Sequence, residues 1–442
     1  MEGAGKLGSL LAVLLAIWLL WLRPAADELL TGERVDTVIA SLLRYEANRP
    51  LAAAPRIAIG YGACRDLFVK GSHIMANQSF PANPEHFLAV GNADELRRMY
   101  AYFFKAGAAA ERFVSDEELW RELVALGEQQ SDHRWELGGN APVMAARFAK
   151  EGANVLLAAK LSPSLTGWLP EGVEVAGGAI DTDDIHLILE YKREEAWDDV
   201  TAPRANRFIL HHDLNNPRVS SQEEFQAAVP GFKPHLLVVG GLQMMDNFPF
   251  QEGERIARIL KIKEQMSSMP ASVRIHFEMA SFVDSSLLEE LVEHVIPQAD
   301  SLGMNEQELP NLHSLITRGE VSVVADSNPR IATVLDQMRE VFSALSARGG
   351  GREVTRIHLH TLAYQAILTK QGSPWRNTGA AAVKASLTAH RHVCADPEVK
   401  HHQHHHHQHH QHHQHHKPHQ PPHHHHHHQQ RLQTWSISAR KL

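Results

Sequence analysis

Two short stretches of this 442-residue chain place acidic groups where they could do chemistry. "RIHFEMAS" puts His276 and Glu278 on one face of a strand, because side chains two apart align. "SLGMNEQEL" puts Asn305 and Glu308 three apart, as neighbours on a first helical turn. If the two segments meet at adjoining sheet ends, Glu278 and Glu308 offer hard oxygen ligands suited to Mg²⁺ beside phosphate oxygens. Plainer readings stand beside these. Asn-x-x-Glu also describes a helix N-cap with a dipole-matched Glu, and His-x-Glu an ordinary solvated strand end.

Other stretches are weaker taken singly. In "GGNAPVMAARFAKEG", Gly138, Gly139 and Asn140 open an amphipathic helix. The exposed N–H groups of such a turn can hold a sugar hydroxyl or an anion, or simply form a tight loop. Glu111 and Arg112 in "KAGAAAERFVSD" read as a solvent-facing helix charge pair. Arg207 in "APRANRFILHHD" can clamp a phosphate or a hydroxyl array, or make a surface salt bridge. His186 in "IHLILEY" reads by itself as a satisfied core histidine.

The elements that must position these residues alternate. From about Arg56 to Thr369, strand candidates ("RIAIGYG", "NVLLAAKL", "DIHLILEY", "RFILHHD", "HLLVVGGL", "SVRIHFEMA", "DSLGMN", "VSVVADS", "RIHLHTLAY") are separated by helical patterns. Several are continuous apolar runs, as strands covered on both faces require. "SSLLEELVEHVIPQ" gathers Leu287, Leu288, Leu291 and Val292 on one face. The helix of "PRIATVLDQMREVFSALSAR" is bracketed by Pro329 and Gly349. Alternation of this kind predicts an α/β fold with a mainly parallel sheet flanked by helices. Ligands of such folds collect beyond the carboxyl ends of the strands. The less regular span from about 59 to 208 is expected to hold a smaller inserted lid subdomain.

Composition narrows the function classes. The formal net charge is −8 and no Lys/Arg stripe interleaves with aromatics, which weighs against a nucleic-acid partner. Two cysteines, Cys64 and Cys394, exclude a disulfide scaffold and Cys-based zinc fingers. They can form a single bridge or remain free thiols. Lys6 precedes an apolar run from Leu7 to Leu22, the length of a signal-peptide core or a short membrane anchor within residues 1–26. A location in the secretory pathway, in the endoplasmic reticulum or outside the cell, is therefore expected, as is a monomer.

In order along the chain, "GACRD", "GAAAERF", "GGNA", "IHLILEY", "APRANRFI", "HFEMAS", "GMNEQEL" and "RIHLHTL" closely resemble the ADP-dependent glucokinase family, particularly its animal members, within the ribokinase-like superfamily. The resemblance spans roughly Arg56 to Cys394 and implies a kinase domain over about 50–400. It implies a ribokinase-like fold whose lid closes over glucose, and transfer of a phosphoryl group from ADP with Mg²⁺, giving glucose 6-phosphate and AMP. It assigns glucose hydroxyls to Asp66 and Glu111, with the Gly138–Gly139–Asn140 loop, His186 and Arg207 also on the substrate. Asn305 would organise the phosphates, and Glu278 and Glu308 the metal. Gly62 stands where the family has Asn, so one contact is expected to be missing.

A second departure is larger. The family's catalytic base is the Asp of Gly-x-Gly-Asp, and the chain contains no such motif. After Lys400 the sequence is almost pure His and Gln. The tail, 401–442, reads as an altered splice or gene-model product, as a disordered extension, or as a nonspecific ligand for Zn, Cu or Ni. The expectation is thus an ADP-dependent glucokinase by family whose own activity is impaired; the alternative is a pseudokinase that binds sugar or AMP without turnover.

Overall fold

The computed structural model describes residues 32–48, 53–282, 284–321, 326, 329–349, 351–361 and 363–394. They fall into two units. One contributes a helix over residues 32–47, in which Thr37 and Ser41 hydroxyls donate back to the carbonyls of Glu33 and Thr37. The other is the body, 53–394. The N-terminal apolar run and the His/Gln tail lie outside the described residues, as does most of "VSVVADS". No helix of the described residues is long and apolar enough to cross a membrane.

The strands of the body, in chain order, are β1 (Arg56–Gly60), β2 (Cys64–Lys70), β3 (Ala110–Phe113), β4 (Arg134–Gly138), β5 (Asn154–Ala158), β6 (Val173–Ala176) and β7 (Ile185–Tyr191). A small hairpin of β8 (Ala196–Trp197) and β9 (Val200–Thr201) follows. The rest are β10 (Asn206–His211), β11 (Leu236–Val239), β12 (Arg274–Glu278), β13 (Ser301–Met304), β14 (Arg356–His360) and β15 (Gln365–Thr369).

Eight of them form one sheet in the order β15-β14-β13-β12-β11-β1-β5-β6. All its neighbours are parallel except the β14–β15 pair. Successive residues of its central strands bury opposite faces, as the pleat dictates. Ala58 and Leu156 join the core beneath the helices Gln222–Phe232, Glu254–Ser267, Ser285–His294 and Glu308–Arg318. Ile57, Ile59, Val155 and Leu157 join the core beneath the helix Asn140–Lys150. Covered faces on both sides account for the apolar runs read from the sequence. Leu287, Leu288, Leu291 and Val292 are all buried, as their spacing predicts. Gly349 follows the helix Ile331–Arg348 with φ +63°, which suits glycine.

A second sheet, in the order β3-β10-β7-β2-β4, draws its strands from 64–138 and from 185–211. Between those spans the chain returns to the larger sheet as β5 and β6. One face of the second sheet packs Leu67, Val69, Leu187, Leu189, Phe208 and Leu210 against aromatic residues of the helix Ala93–Ala106, including Tyr100, Phe103 and Phe104. Side chains therefore alternate, and the opposite face carries the polar residues. The expected helix charge pair Glu111–Arg112 lies instead on β3. Arg112 is buried and donates to the carbonyls of Phe87 and Glu111. A surface helix was the wrong reading because two adjacent charges on a strand point to opposite faces, one inward and one outward.

Candidate functional site

The strand register brings together residues that are far apart in sequence. Asp66 pairs with His186 across β2 and β7, and His186 with His211 across β7 and β10. Glu111 lies one row along, opposite Ile209, and Arg207 one further, opposite Glu190. All belong to the open face of the second sheet. His186 is buried, whereas Asp66 and Glu111 are partly exposed and Arg207 is exposed. His186 Nε2 lies 3.0 Å from Asp213 Oδ2, and its Nδ1 lies 3.5 Å from Glu111 Oε1.

Burial pushes the carboxyls of Asp66 and Glu111 above their usual range, and the nearby His186 and Arg207 charges oppose that rise. The result is two carboxylates held as hydrogen-bond acceptors beside an open face, an arrangement that fits hydroxyl groups.

The glycine loop closes one corner of this cluster. A Cβ on Gly138 would sit 2.0 Å from Asp66 Oδ1, so the missing side chain is the room that the carboxylate occupies. Gly139, at φ +82°, packs against the Gly62 carbonyl, where a Cβ would approach to 2.4 Å. Asn140 begins the helix at the same corner and is exposed. Beside Gly62 the backbone is held by a side chain from beyond β10. Asn216 clamps Ala63, with Oδ1 accepting from its N–H at 3.0 Å and Nδ2 donating to its carbonyl at 3.0 Å. Cys64 is a buried free thiol that contacts Asp66 Oδ1 at 3.3 Å.

A second cluster lies where β12, β13 and β14 end. Glu278 Oε2 accepts from His276 Nε2 at 2.9 Å and Oε1 from His360 Nε2 at 3.0 Å. Asn305 and Glu308 form a reciprocal helix cap. Asn305 Oδ1 accepts from the N–H groups of Gln307 and Glu308, while Glu308 Oε2 accepts from Asn305 N–H at 2.7 Å. The capping reading therefore describes the local geometry, yet the pair also faces Glu278. Burial, together with the Glu278 charge and against the pull of His360, raises the Glu308 carboxyl to about 7. Although burial disfavours its charge, Glu278 is held well below the carboxylate range by His276 and His360.

These residues fit a hard divalent cation. The buried Glu308 and the partly buried Glu278 repel each other, and Glu278 fills the space a Gly303 Cβ would take, 2.0 Å from Oε2. Each carboxylate oxygen accepts one hydrogen bond, Glu308 Oε1 from Asn305 Nδ2 at 2.7 Å, and keeps a second lone pair. Glu278 and Glu308 would hold the cation. His360, Asp213 and Asn216 carry roles that the sequence motifs did not flag. The available signals were the His-x-His alternation of "RIHLH" and the polar run "HHDLNNP" at the end of a strand.

Comparison with known proteins gives a consistent picture. Residues 55–441 match the family model described as the ADP-specific phosphofructokinase/glucokinase conserved region. The match runs past Cys394, where the resemblance had been expected to fade. The chain is 33% identical to bovine "ADP-dependent glucokinase" over 78% of its length and 70% of that protein. It is 30% identical to a "probable ADP-dependent glucokinase" of Caenorhabditis elegans, over 83% of this chain and 75% of the other. Among solved structures, a phosphofructokinase from Pyrococcus horikoshii with AMP superposes with TM-score 0.53 at 18% identity, covering 74% of this chain and 78% of that one. An ADP-dependent kinase complex with fructose-6-phosphate and ADPβS superposes with TM-score 0.58 at 16% identity, covering 78% and 74%. The fold is thus the ribokinase-like one, a mostly parallel sheet flanked by helices.

Proposed function

The chain belongs to the ADP-specific phosphofructokinase/glucokinase family, and from that premise we propose that it binds glucose and ADP in the manner of an ADP-dependent glucokinase. The observation that carries the reading is the open face of the second sheet, where Asp66 and Glu111 flank a His186 fixed between Glu111 and Asp213. Two oriented carboxylates suit a polyol better than they suit a second phosphate, which they would repel. That chemistry favours glucose over a sugar phosphate. Gly138, Gly139, Asn140 and Arg207 complete the sugar side, and the second sheet acts as the lid.

In the reaction, the sugar 6-hydroxyl oxygen bonds to the β-phosphorus of ADP. The bond from that phosphorus to the oxygen bridging to the α-phosphate breaks, AMP leaves, and the hydroxyl proton passes to a base. Glu278 and Glu308 would hold Mg²⁺, with Asn305 beside the phosphates; the bound metal neutralises charge on the phosphate oxygens. In the resembling family the base is the Asp of Gly-x-Gly-Asp, and that motif is absent from residues 1–442. The second reading is a pseudokinase that binds sugar or AMP without turnover. Loss of a positioned general base typically costs roughly 10²–10⁴-fold in rate. The apolar run Leu7–Leu22 supports entry to the secretory pathway.

The test is calorimetry with glucose, followed by an assay of glucose 6-phosphate formation with ADP and Mg²⁺. The assay is run beside a chimaera carrying a family C-terminus in place of the tail. Glucose should bind, and the chimaera should turn over at least a hundredfold faster, about the lower bound for a lost base. Absence of glucose binding overturns the reading. Equal rates from the two chains place the base elsewhere in the body.

A further inference from the structure

The segment His211–Asn216 leaves β10 and brings a fully buried carboxylate to the sugar-facing cluster. Asp213 is 0% exposed. Its Oδ2 accepts from His186 Nε2 at 3.0 Å and from Asn216 Nδ2 at 2.5 Å. Beyond the same ring, Nδ1 faces Glu111 Oε1 at 3.5 Å. The His186 imidazole is therefore sandwiched between two carboxylates, and it can offer a proton to both only as the imidazolium.

We infer that Asp213 is a positioning residue: it holds the His186 ring with Nε2 toward itself and Nδ1 toward Glu111, so that Asp66 and Glu111 meet the ligand as oriented, ionised acceptors. The identity of the ligand rests on the glucose reading above; the geometry of the ring does not.

The groups facing His186 come from every strand around it. They are Cys64 and Asp66 on β2, Glu111 on β3, His211 on β10, and Asp213 just beyond β10. Arg207 acts on Asp66 and Glu111 from the exposed end of β10, while Arg112 and His212 act on His211. Burial works against charge on His186, but Cys64 and Asp213 drive its proton affinity up. The buried Cys64 thiol is itself pushed far up and stays neutral near pH 7, which leaves Asp213 as the anion in contact with Nε2. Burial opposes ionisation of Asp213 too, yet its contact with His186 carries it below the ordinary range. Burial pushes His211 down to about 3, so it is neutral and supplies no competing charge.

Asp213 also repels Glu111 directly. The His186 cation has the larger effect on Glu111, so removing the Asp213 charge, and with it that cation, leaves Glu111 easier to protonate.

Asp213→Asn keeps the shape. Its amide oxygen can still accept from His186 Nε2. Its NH₂ would face His211 Nδ1, a buried nitrogen without a hydrogen-bond partner, 3.8 Å from Asp213 Oδ1. The first measurement uses the full chain without ligand: long-range ¹H–¹⁵N correlation of labelled histidines, with His186 identified by its loss in His186→Gln. His186 should carry both ring protons at pH 7 in the parent chain and only one in Asp213→Asn. A neutral His186 in the parent chain overturns the inference, whether or not the variant folds, and so does an unchanged ring in a folded variant.

The second measurement is glucose calorimetry at pH 6 and pH 8. Asp213→Asn should weaken binding at pH 6, where a required acceptor becomes protonated, and the affinity should recover at pH 8 as the carboxylates ionise. In a His186→Gln background the same substitution should add no loss, because Asp213 acts through the ring. A further loss there, equal at both pH values, overturns the inference in favour of a merely structural role. Failure of the parent chain to bind glucose would refute the proposed function instead, while the ring protonation still reads Asp213 directly.

Discussion

Gly138→Ala is a sharp test of the sugar side, because it changes no polar atom. Gly138 ends β4 opposite Cys64, and its backbone is not in the left-handed region, so alanine meets no conformational penalty there. The added Cβ would lie 2.0 Å from Asp66 Oδ1 and 2.7 Å from Cys64 Sγ. The Asp66 carboxylate must swing away, and it can, because Asp66 is partly exposed. Overpacking against Cys64 should destabilise the fold by about 1–3 kcal/mol. The binding effect is separate. A lost charge-assisted hydrogen bond to a glucose hydroxyl is worth roughly 1.5–3 kcal/mol, or about ten- to a hundredfold in affinity. Asp66→Ala should lose as much, and the double variant no more than either alone, since both remove one contact. Calorimetry with glucose on folded protein, checked by thermal melting, measures all three. Parent-like affinity in folded Gly138→Ala, or losses that add in full, would refute the placement of Asp66 on the sugar.

Two further outcomes are expected at the other cluster. Glu308→Gln, in a chimaera with a family C-terminus, should abolish Mg²⁺-dependent turnover and leave glucose affinity nearly intact, because the metal acts on phosphate charge; unchanged turnover would sink the assignment. His360 is the alkaline sensor of the fold. Burial opposes its charge, but the contact with Glu278 raises it from near 6.5 to about 8. Its stabilisation is complete below pH 6.5 and is lost as pH rises through 8. With 37% of the side chain exposed, solvent screening keeps the effect small. Thermal melting between pH 6 and 9 should show a decline near pH 8 that His360→Gln removes; an identical decline in both would assign it to another group.

The elements that sequence reveals and those it hides divide along a physical line. β1, β5 and β11 are legible because both faces are covered, which leaves continuous apolar runs. β2 ("CRDLFVK"), β3 ("AERF") and β4 ("RWELG") escape notice because they turn one face to the crevice. Their alternation is broken by the very residues, Asp66, Glu111 and Gly138, that line the proposed sugar side. The same cause makes Glu111 and Arg112 look like a helix pair. β6 and β15, at the sheet edges, are short and only partly buried. Glu278 and Glu308 are legible as a pair through family motifs and His276 through its spacing from Glu278, but the grip of His360 on Glu278 depends on β12 and β14 lying on either side of β13. Asp213 is invisible in the sequence because a polar run after a strand looks solvated, and only the folded chain shows it fully enclosed.

The position of β1 inside the larger sheet has a consequence for biosynthesis. It leaves the ribosome first among the strands, yet its two neighbours, β5 and β11, arrive much later, with Ile57 opposite Val155 and Leu236. Until β11 emerges, one edge of an apolar strand has no partner, and the second sheet must also wait for β10 to join β7 to β3. Pairing across such long sequence separations is slow, because loop closure must precede any stabilising contact. Nascent chains that stop short of Leu236 expose an unpaired strand edge and are the species most prone to aggregate or to engage holding chaperones.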